Sequence, residues 1–497
     1  MTNWLKLLRI RGGVHIEERK DATLELPIVS SFPVAKKLYI PLQQHIGKAA
    51  EPIVKVGDSV LKGQLLAHSQ GLISAPVHAP SSGVITDINF YPAPHPSALP
   101  IRTIVITTDG KEQWIQRVPV ADPFALEPEE ISARVAAAGI VGLGGATFPS
   151  AVKLNLGRQN KIHTLLINGG ECEPYLTCDD RLMQERADAI IDGIRLMLHG
   201  MEANIAKIGI ESNKPEAIRA MTKACQPYDK IEVVTVPTRY PMGWEKQLIR
   251  FMTGKEVPAE SRTTDIGMVM HNVATAYAIH RALRKAEPLV SRVVTISGNA
   301  TKRPMNIEVA IGTLISDIFD ICLTDKENTV RIVMGGPMMG EALPHSDIPI
   351  VKATSGVLAL TLDEITVAEE APCIRCARCI QACPVGLLPV DMANLIRSNQ
   401  LDSAVNIGLK DCISCGSCSY VCPSHIPLVH YFKYASGELV SRQQLQHKSE
   451  QTKKLADDRR KRLEKIEQEK EEEAARRKAE KEARDRAKAE QEQGVAV

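Results

Sequence analysis

Cys373-Ile374-Arg375-Cys376-Ala377-Arg378-Cys379, then Cys383-Pro384, and Cys412-Ile413-Ser414-Cys415-Gly416-Ser417-Cys418, then Cys422-Pro423, are two copies of one pattern. Each reads C-x₂-C-x₂-C-x₃-C-P, and together they take eight of the chain's 12 cysteines. Three thiolates at i, i+3 and i+6 on a tight turn can hold three corners of a cubane, and this spacing is the ligand pattern of a [4Fe–4S] cluster. The proline after the fourth cysteine lacks an N–H and bends the chain away from the ligand. Cys₄ zinc sites show two separated C-x₂-C pairs, without the third cysteine and the Cys-Pro. A chain with two such clusters moves single electrons.

The fourth cysteine of each run follows a short helical stretch and is aimed away from its own three. In two-cluster ferredoxins it ligates the other cluster. The expected ligand sets are therefore Cys373, Cys376, Cys379 and Cys422 for one cluster, and Cys412, Cys415, Cys418 and Cys383 for the other. Ile374 and Ile413 are expected to shield the clusters from water.

The chain has 497 residues, room for roughly three or four domains. Aromatic residues are only 4%, which argues against a stacking surface for nucleic acid. A formal net charge of +2 also gives no nucleic-acid footprint. No apolar run reaches the length of a membrane span. Met1 to Val14 lacks a signal-peptide core. A cytoplasmic chain is expected, with any membrane association peripheral and made through a partner.

The fold class expected is multidomain α/β plus β. After an N-terminal segment, 1–33, residues 34–110 consist of short alternating runs cut by Gly, Pro and Asp, which predicts a small barrel or sandwich. Its phrasing resembles biotinyl and lipoyl carrier domains. Those carriers present a lysine at the hairpin tip, where this chain has Gly71-Leu72-Ile73-Ser74-Ala75-Pro76. The expectation is a carrier fold reused for docking. Residues 128–286 alternate helical and apolar strand patterns, such as Thr164–Ile167, Ile205–Ile210 and Ile231–Val236, with helices over Glu185–His199 and Pro215–Cys225. That alternation predicts a parallel sheet with ligands at the strands' carboxyl ends. Residues 288–345 read as a β-rich module, 366–435 as a helical two-cluster domain, and 448–497 as a charged low-complexity tail. The tail reads as salt-bridged helix or disorder, with no heptad stripe after Ile466.

A second constellation lies in the α/β region. Gly139-Ile140-Val141-Gly142-Leu143-Gly144-Gly145-Ala146-Thr147-Phe148-Pro149 is dense in glycine, which lets backbone N–H groups approach a phosphate or planar ring. Past the strand ending at Ile167 comes Asn168-Gly169-Gly170-Glu171-Cys172-Glu173-Pro174. Tyr240-Pro241-Met242-Gly243-Trp244-Glu245 repeats the strand–Gly–acid order, and His271-Asn272 opens a helix.

These phrases are similar to the NADH-binding flavoprotein subunit of respiratory complex I. Gly142, Gly144, Gly145, Ala146, Phe148, Pro149 and Lys153 match its G-x-G-G-A-G-F-P-x-x-x-K segment. Asn168 to Pro174 looks like its N-A-D-E-x-E-P, and Asn272 its N-N-V-E-T. The resemblance implies FMN, bound without a covalent link, near Gly142, Gly144, Gly145, Lys153, Asn168 and Glu171. It implies NADH as substrate towards Phe148 and Glu173, with Glu245 and Asn272 also at the cofactor. Gly170 stands where that family has Asp, and Trp244 interrupts its G-E-E.

The order of parts, over the chain to about residue 440, resembles the RnfC component of the Rnf electron-transport complex. That resemblance implies a peripheral subunit on the cytoplasmic face of the bacterial inner membrane. Its partners would be the other subunits, and NADH or ferredoxin. Electron flow between NADH, FMN and two [4Fe–4S] clusters would be coupled to ion translocation. A different function remains in view: an electron-relay scaffold with both clusters and no working NADH/FMN site. Cys172, Cys178, Cys225 and Cys322 are not at cluster spacing and read as free thiols, mostly core. Cys172, between two acids, should ionise poorly.

Overall fold

A computed structural model describes residues 10–365 and 367–493, the side chains of 489–493 excepted. The expectations for residues 1–9, Thr366 and 494–497 lie outside the described residues. The chain divides into two compact bodies, one running to Asp391 and including Asp411–Val429, the other Met392–Lys410 and His430 onward.

The first body begins with a barrel-sandwich of short strands. β1 (Lys37–Pro41), β7 (Pro100–Thr108), β6 (Gly83–Pro92) and β3 (Ser59–Val60) form one sheet; β2 (Glu51–Pro52), β4 (Leu65–His68) and β5 (Val77–His78) form the other. Alternation along the strands sends Leu38, Ile40, Leu66, Ile85, Ile104 and Ile106 inward to one core.

The α/β part follows. Four parallel strands lie in the order β10 (Ile231–Val236), β9 (Ile205–Glu211), β8 (Thr164–Gly169), β11 (Met268–Asn272). Helices α1 (Pro128–Ala137) and α2 (Ser150–Gln159) precede the sheet. α3 (Cys178–Glu185), α4 (Ala187–Met201), α5 (Pro215–Cys225) and α6 (Glu245–Thr253) connect its strands, and α7 (Val273–Lys285) follows it. α5 shows why such segments are helical. Proline sits in its first turn, and Ala217, Met221 and Cys225 repeat every fourth residue to form its buried stripe. The chain leaves β8 towards β9 and β10, then returns to place β11 on β8's other side. The strand order therefore reverses between β8 and β11, and a ligand crevice opens at the carboxyl ends of such a pair.

A fourth sheet, β13 (Met305–Ala310), β12 (Ser291–Ser297), β16 (Gly356–Leu360), β14 (Arg331–Met334), β15 (Glu341–Leu343), packs with the helix Ile315–Ile321 over Ile296, Ile307, Phe319 and Val357. Its β16 lies beyond the expected limit at 345. This wholly buried strand pairs in parallel with β12 and antiparallel with β14. The N-terminal segment threads between the parts, bridging Val14 to Tyr240 and Val29 to Ile307. The cysteine runs close this body, each carrying a short helix, Arg378–Ala382 and Ser417–Tyr420.

In the second body the helix Leu401–Asn406 and most of a continuous helix, Leu428–Gln493, are the main elements. Arg397 lies over the ring of Tyr431 at 5.7 Å. From the choice between helix and disorder, the structure takes helix. Pairs such as Arg442–Glu438, Arg460–Glu464 and Arg477–Glu473 stand one turn apart along it.

Candidate functional site: two cysteine clusters and a flavin crevice

Each cysteine run winds with the same two left-handed residues. Arg375 and Ala377 have φ 56° and 60°; Ser414 and Gly416, at the equivalent places, have 54° and 78°. That double reversal turns the first three sulfurs of each run towards one point. Cys373, Cys376, Cys379 and Cys422 line one cavity of about 140 Å³ with Ile374, Ile380, Val390 and Ile426. The fourth ligand thus comes from the other run, in the crossed arrangement. Cys383 is in turn the electrostatic neighbour of Cys412, Cys415 and Cys418. Backbone N–H groups point at the sulfurs: Arg375 donates to Cys373 Sγ at 3.4 Å and Leu387 to Cys383 Sγ at 3.3 Å. Four convergent thiols in an apolar wall, with N–H donors to sulfur, suit an iron–sulfur cluster.

The flavin-type residues gather at the β8–β11 switch point. Asn168 and Asn272 are register partners at the strand ends. Asn272 caps α7 by accepting from Ala274 N–H at 2.8 Å, and its Nδ2 donates to Asp179 at 2.6 Å. Asn168 accepts from Gly170 N–H and donates to the carbonyl of Gly243, both at 2.9 Å, so it joins the two acidic loops.

The glycine loop closes on itself through Gly142 N–H to Phe148 O, 2.8 Å. Its crest lies against Asn272, because a Cβ on Gly144 would stand 3.2 Å from the Asn272 Cβ. Gly145 has φ 104° and open space where a side chain would be. Among the described residues the N–H groups of Gly144, Gly145, Glu171 and Cys172 have no acceptor within the chain. Unpartnered N–H groups on a glycine crest at a switch point fit the phosphate and carbonyl edges of a flavin nucleotide. Phe148 is half-buried beside this loop. Lys153 instead donates to the carbonyl of Met270 at 2.9 Å, which directs its charge at β11.

Two of the acidic residues are engaged within the chain. Glu171, which the resemblance puts near FMN, accepts from Asp179 N–H at 2.8 Å and Asp180 N–H at 3.1 Å, so it caps the start of α3. Burial and this neighbour push Asp179 up to about 7. Glu173 was expected towards NADH. It accepts from the N–H groups of Met338 and Met339 at 3.0 and 2.9 Å, in a turn where Gly336 leaves no room for a side chain. Burial raises its carboxyl. The physical reason is common to both: a half-buried loop carboxylate is satisfied first by nearby backbone donors. Glu245 opens α6, 3.5 Å from the Thr263 hydroxyl. Burial holds the Cys172 thiol far above its ordinary value.

The sequence phrase that begins at Tyr240 gives that residue no role. Its hydroxyl donates to the carbonyl of Cys415 at 2.7 Å and stands 3.5 Å from Glu173. Cys172, Tyr240, Val14, Ile413 and Cys415 belong to one apolar cluster. The second acidic loop and the second cysteine run are therefore in direct contact. Its place just before Pro241, Met242 and Gly243 was the one available signal.

A switch-point crevice with a glycine crest, beside two crossed cysteine sites, defines an electron-transfer protein of the flavin and iron–sulfur class. Comparison with known proteins agrees. Residues 135–281 match the Nuo51 FMN-binding domain, 8–111 the RnfC barrel sandwich hybrid domain, and 365–423 the 4Fe-4S dicluster domain. The C-type subunit of the ion-translocating oxidoreductase complex of Rhodobacter capsulatus is 49% identical over 448 residues, 89% of this chain and 85% of that one. Its counterpart in Haemophilus influenzae strain 86-028NP is 43% identical over 464 residues, 93% of this chain and 70% of that one. A solved NAD⁺-reducing [NiFe]-hydrogenase in its H₂-reduced state covers 66% of this chain and 69% of its own at 17% identity, TM-score 0.45.

The chain belongs to the RnfC family, the C-type subunits of ion-translocating oxidoreductase complexes. It is an electron-transfer subunit of an oxidoreductase complex, with FMN and iron–sulfur clusters as its cofactors. Among the described residues no helix is long and apolar enough to cross a membrane.

Proposed function

We propose that this protein passes electrons between NADH and the other subunits of a membrane complex, at the cytoplasmic face of the bacterial inner membrane. Flow to or from ferredoxin would be coupled to ion translocation by those partners. FMN supplies the exchange between a two-electron hydride and single electrons, which iron–sulfur clusters carry one at a time. The residues of this chain supply position. Gly142, Gly144, Gly145, Phe148, Asn168 and Asn272 would hold the flavin at the β8–β11 crevice. Lys153, Glu171, Glu173 and Glu245 would set the elements around it. Cys373, Cys376, Cys379 and Cys422, and Cys412, Cys415, Cys418 and Cys383, would be the metal ligands.

The observation that carries this reading is the Tyr240 bridge. It joins the acidic loop at the crevice to Cys415, while Cys373 and Cys376 are exposed. The run 412–418 is thus on the flavin side and the run 373–379 on the partner side. The relay-scaffold alternative draws support from Gly170, Trp244 and the engaged Glu171 and Glu173. Anaerobic addition of NADH to the reconstituted chain decides between them. Bleaching of both flavin and cluster absorbance is expected. Clusters that respond to dithionite but not to NADH would leave the scaffold reading.

A further inference from the structure

Four cations in the first body are almost wholly buried. Lys20 is 5% exposed, Lys214 2%, Arg292 5% and Lys352 1%. They come from four separate places: the N-terminal segment, the β9–α5 connection, β12, and the connection before β16. Each donates to a backbone carbonyl in one of the two loops at the crevice. Lys20 Nζ reaches the carbonyl of Glu171 at 2.6 Å, and Lys214 Nζ that of Gly170 at 3.1 Å. Arg292 Nη2 reaches the carbonyl of Leu143 at 2.7 Å, and Lys352 Nζ that of Gly139 at 2.7 Å. Arg292 also donates to the carbonyl of Lys352, which links the two cations under the glycine loop.

Burying a cation is expensive unless its donors find good partners. Among the described residues only Lys214 of the four makes an ion pair, with Glu211 at 2.8 Å. Burial lowers Lys20, Arg292 and Lys352, the last to about 7. For Lys214 burial acts downward too, but Glu211 and Glu171 outweigh it and raise the group. The loop carbonyls are therefore the main return on three of the four burials.

A peptide unit is planar, and its C=O and N–H point in opposite directions. Holding the carbonyls of Leu143, Gly170 and Glu171 on the buried side turns the N–H groups of Gly144, Glu171 and Cys172 the other way. Among the described residues those N–H groups have no acceptor. Lys352 anchors the start of the glycine loop through the Gly139 carbonyl, where the following N–H, that of Ile140, is bonded to the carbonyl of Val135 at 3.4 Å.

We propose that Lys20, Lys214 and Arg292 are positioning residues for the flavin, gripping the two loops by their carbonyls so that the opposite N–H edges face the cofactor, with Lys352 anchoring the base of the glycine loop. The proposal rests on the reading that these loops hold FMN. Its consequence is a site set before the cofactor arrives, with no loop rearrangement on binding.

The test uses the full chain with its clusters loaded, stripped of flavin and titrated with FMN by fluorescence quenching. Lys214→Met removes the bonds to the Gly170 carbonyl and to Glu211, Arg292→Met those to the carbonyls of Leu143 and Lys352, and FMN affinity should fall roughly tenfold to a hundredfold in each. Iron content and helix signal should stay at the wild-type level. Lys214→Arg should recover most of the loss. Lys246→Met, which removes a half-buried lysine bonded to the carbonyls of Pro258 and Ala259, should bind FMN as the wild type does. Wild-type affinity in both methionine variants overturns the inference, as does iron lost in step with flavin. Should those variants not fold, a structure of the flavin-free wild type decides. The carbonyls of Leu143, Gly170 and Glu171 turned away from the cations would overturn it. A wild-type chain that takes up no FMN would instead defeat the underlying reading of the site.

Discussion

The two cysteine runs share their spacing and their pair of left-handed turns, yet they occupy unlike surroundings. In the run 412–418, Cys415 and Cys418 are buried, and Ile413 packs in the cluster that contains Val14 and Tyr240. In the run 373–379, Cys373 and Cys376 are exposed, and Ile374 is 68% exposed. The isoleucines sit at the same place in the motif, but only Ile413 is covered by this chain. Spacing sets which thiols converge; contacts from residues more than 150 positions away set how deeply each set is buried.

The sharpest way to break this comparison is to delete one site at a time. Cys376→Ala and Cys415→Ala should each remove about half of the iron and sulfide, since each takes one of four thiolates from one cluster. The two should then differ on anaerobic addition of NADH. The Cys376 variant should still reduce its remaining cluster quickly, whereas the Cys415 variant should reduce its own slowly or not at all. Equal rates by freeze-quench EPR would remove the flavin-side and partner-side assignment.

Air should act as a second probe. The cluster at exposed Cys373 and Cys376 should lose iron well before the one at buried Cys415 and Cys418. Timed EPR samples showing both signals fading together would mean that burial does not separate them.

Tyr240→Phe tests the bridge with a smaller change. It leaves the Cys415 carbonyl without its hydroxyl donor, a loss of about 1–3 kcal/mol for a buried group. The melting temperature should fall. Electron transfer to the clusters should slow several-fold at unchanged flavin and iron content. Unaltered transfer in a destabilised variant would make Tyr240 a packing residue only.

The smallest effect expected is electrostatic. Arg375 and Arg378 lie within the exposed run, where the buried run has Ser414 and Ser417. Reduction adds negative charge to a cluster, so nearby cations favour the reduced form. Replacing both arginines by Ser should lower the potential of the exposed cluster alone. Both arginines are exposed, and screening over roughly 8–10 Å keeps the shift small. Two unmoved waves in a potentiometric titration would show that this charge difference is silent.

Much of this was legible locally. The ligand spacing, the strands at 164, 205 and 231, and the helix Pro215–Cys225 all follow from short-range pattern. The place of Asn168 just past a strand and of Asn272 at the opening of a helix was readable too. The roles of Glu171 and Glu173 were not readable, because their backbone donors lie elsewhere. Those of Glu171 come at the turn into α3, and those of Glu173 some 165 residues on. The four buried cations escaped for the same reason: a lone lysine or arginine carries no spacing signal, and the crevice-loop carbonyls they hold are 44 to 213 residues away. β16 is a five-residue apolar run whose partners, β12 and β14, precede it by tens of residues.

The hairpin tip of the barrel-sandwich gives one more consequence. In carrier domains that tip is a travelling arm. Here Ala75 N–H donates to His45 Nε2 at 3.1 Å, and the carbonyl of Pro76 is held by Lys352 at 3.0 Å, the same lysine that anchors the glycine loop. An arm has become a bracket. Its held end ties the barrel-sandwich to the base of the glycine loop through one buried lysine, so a strain on either part is felt by the other.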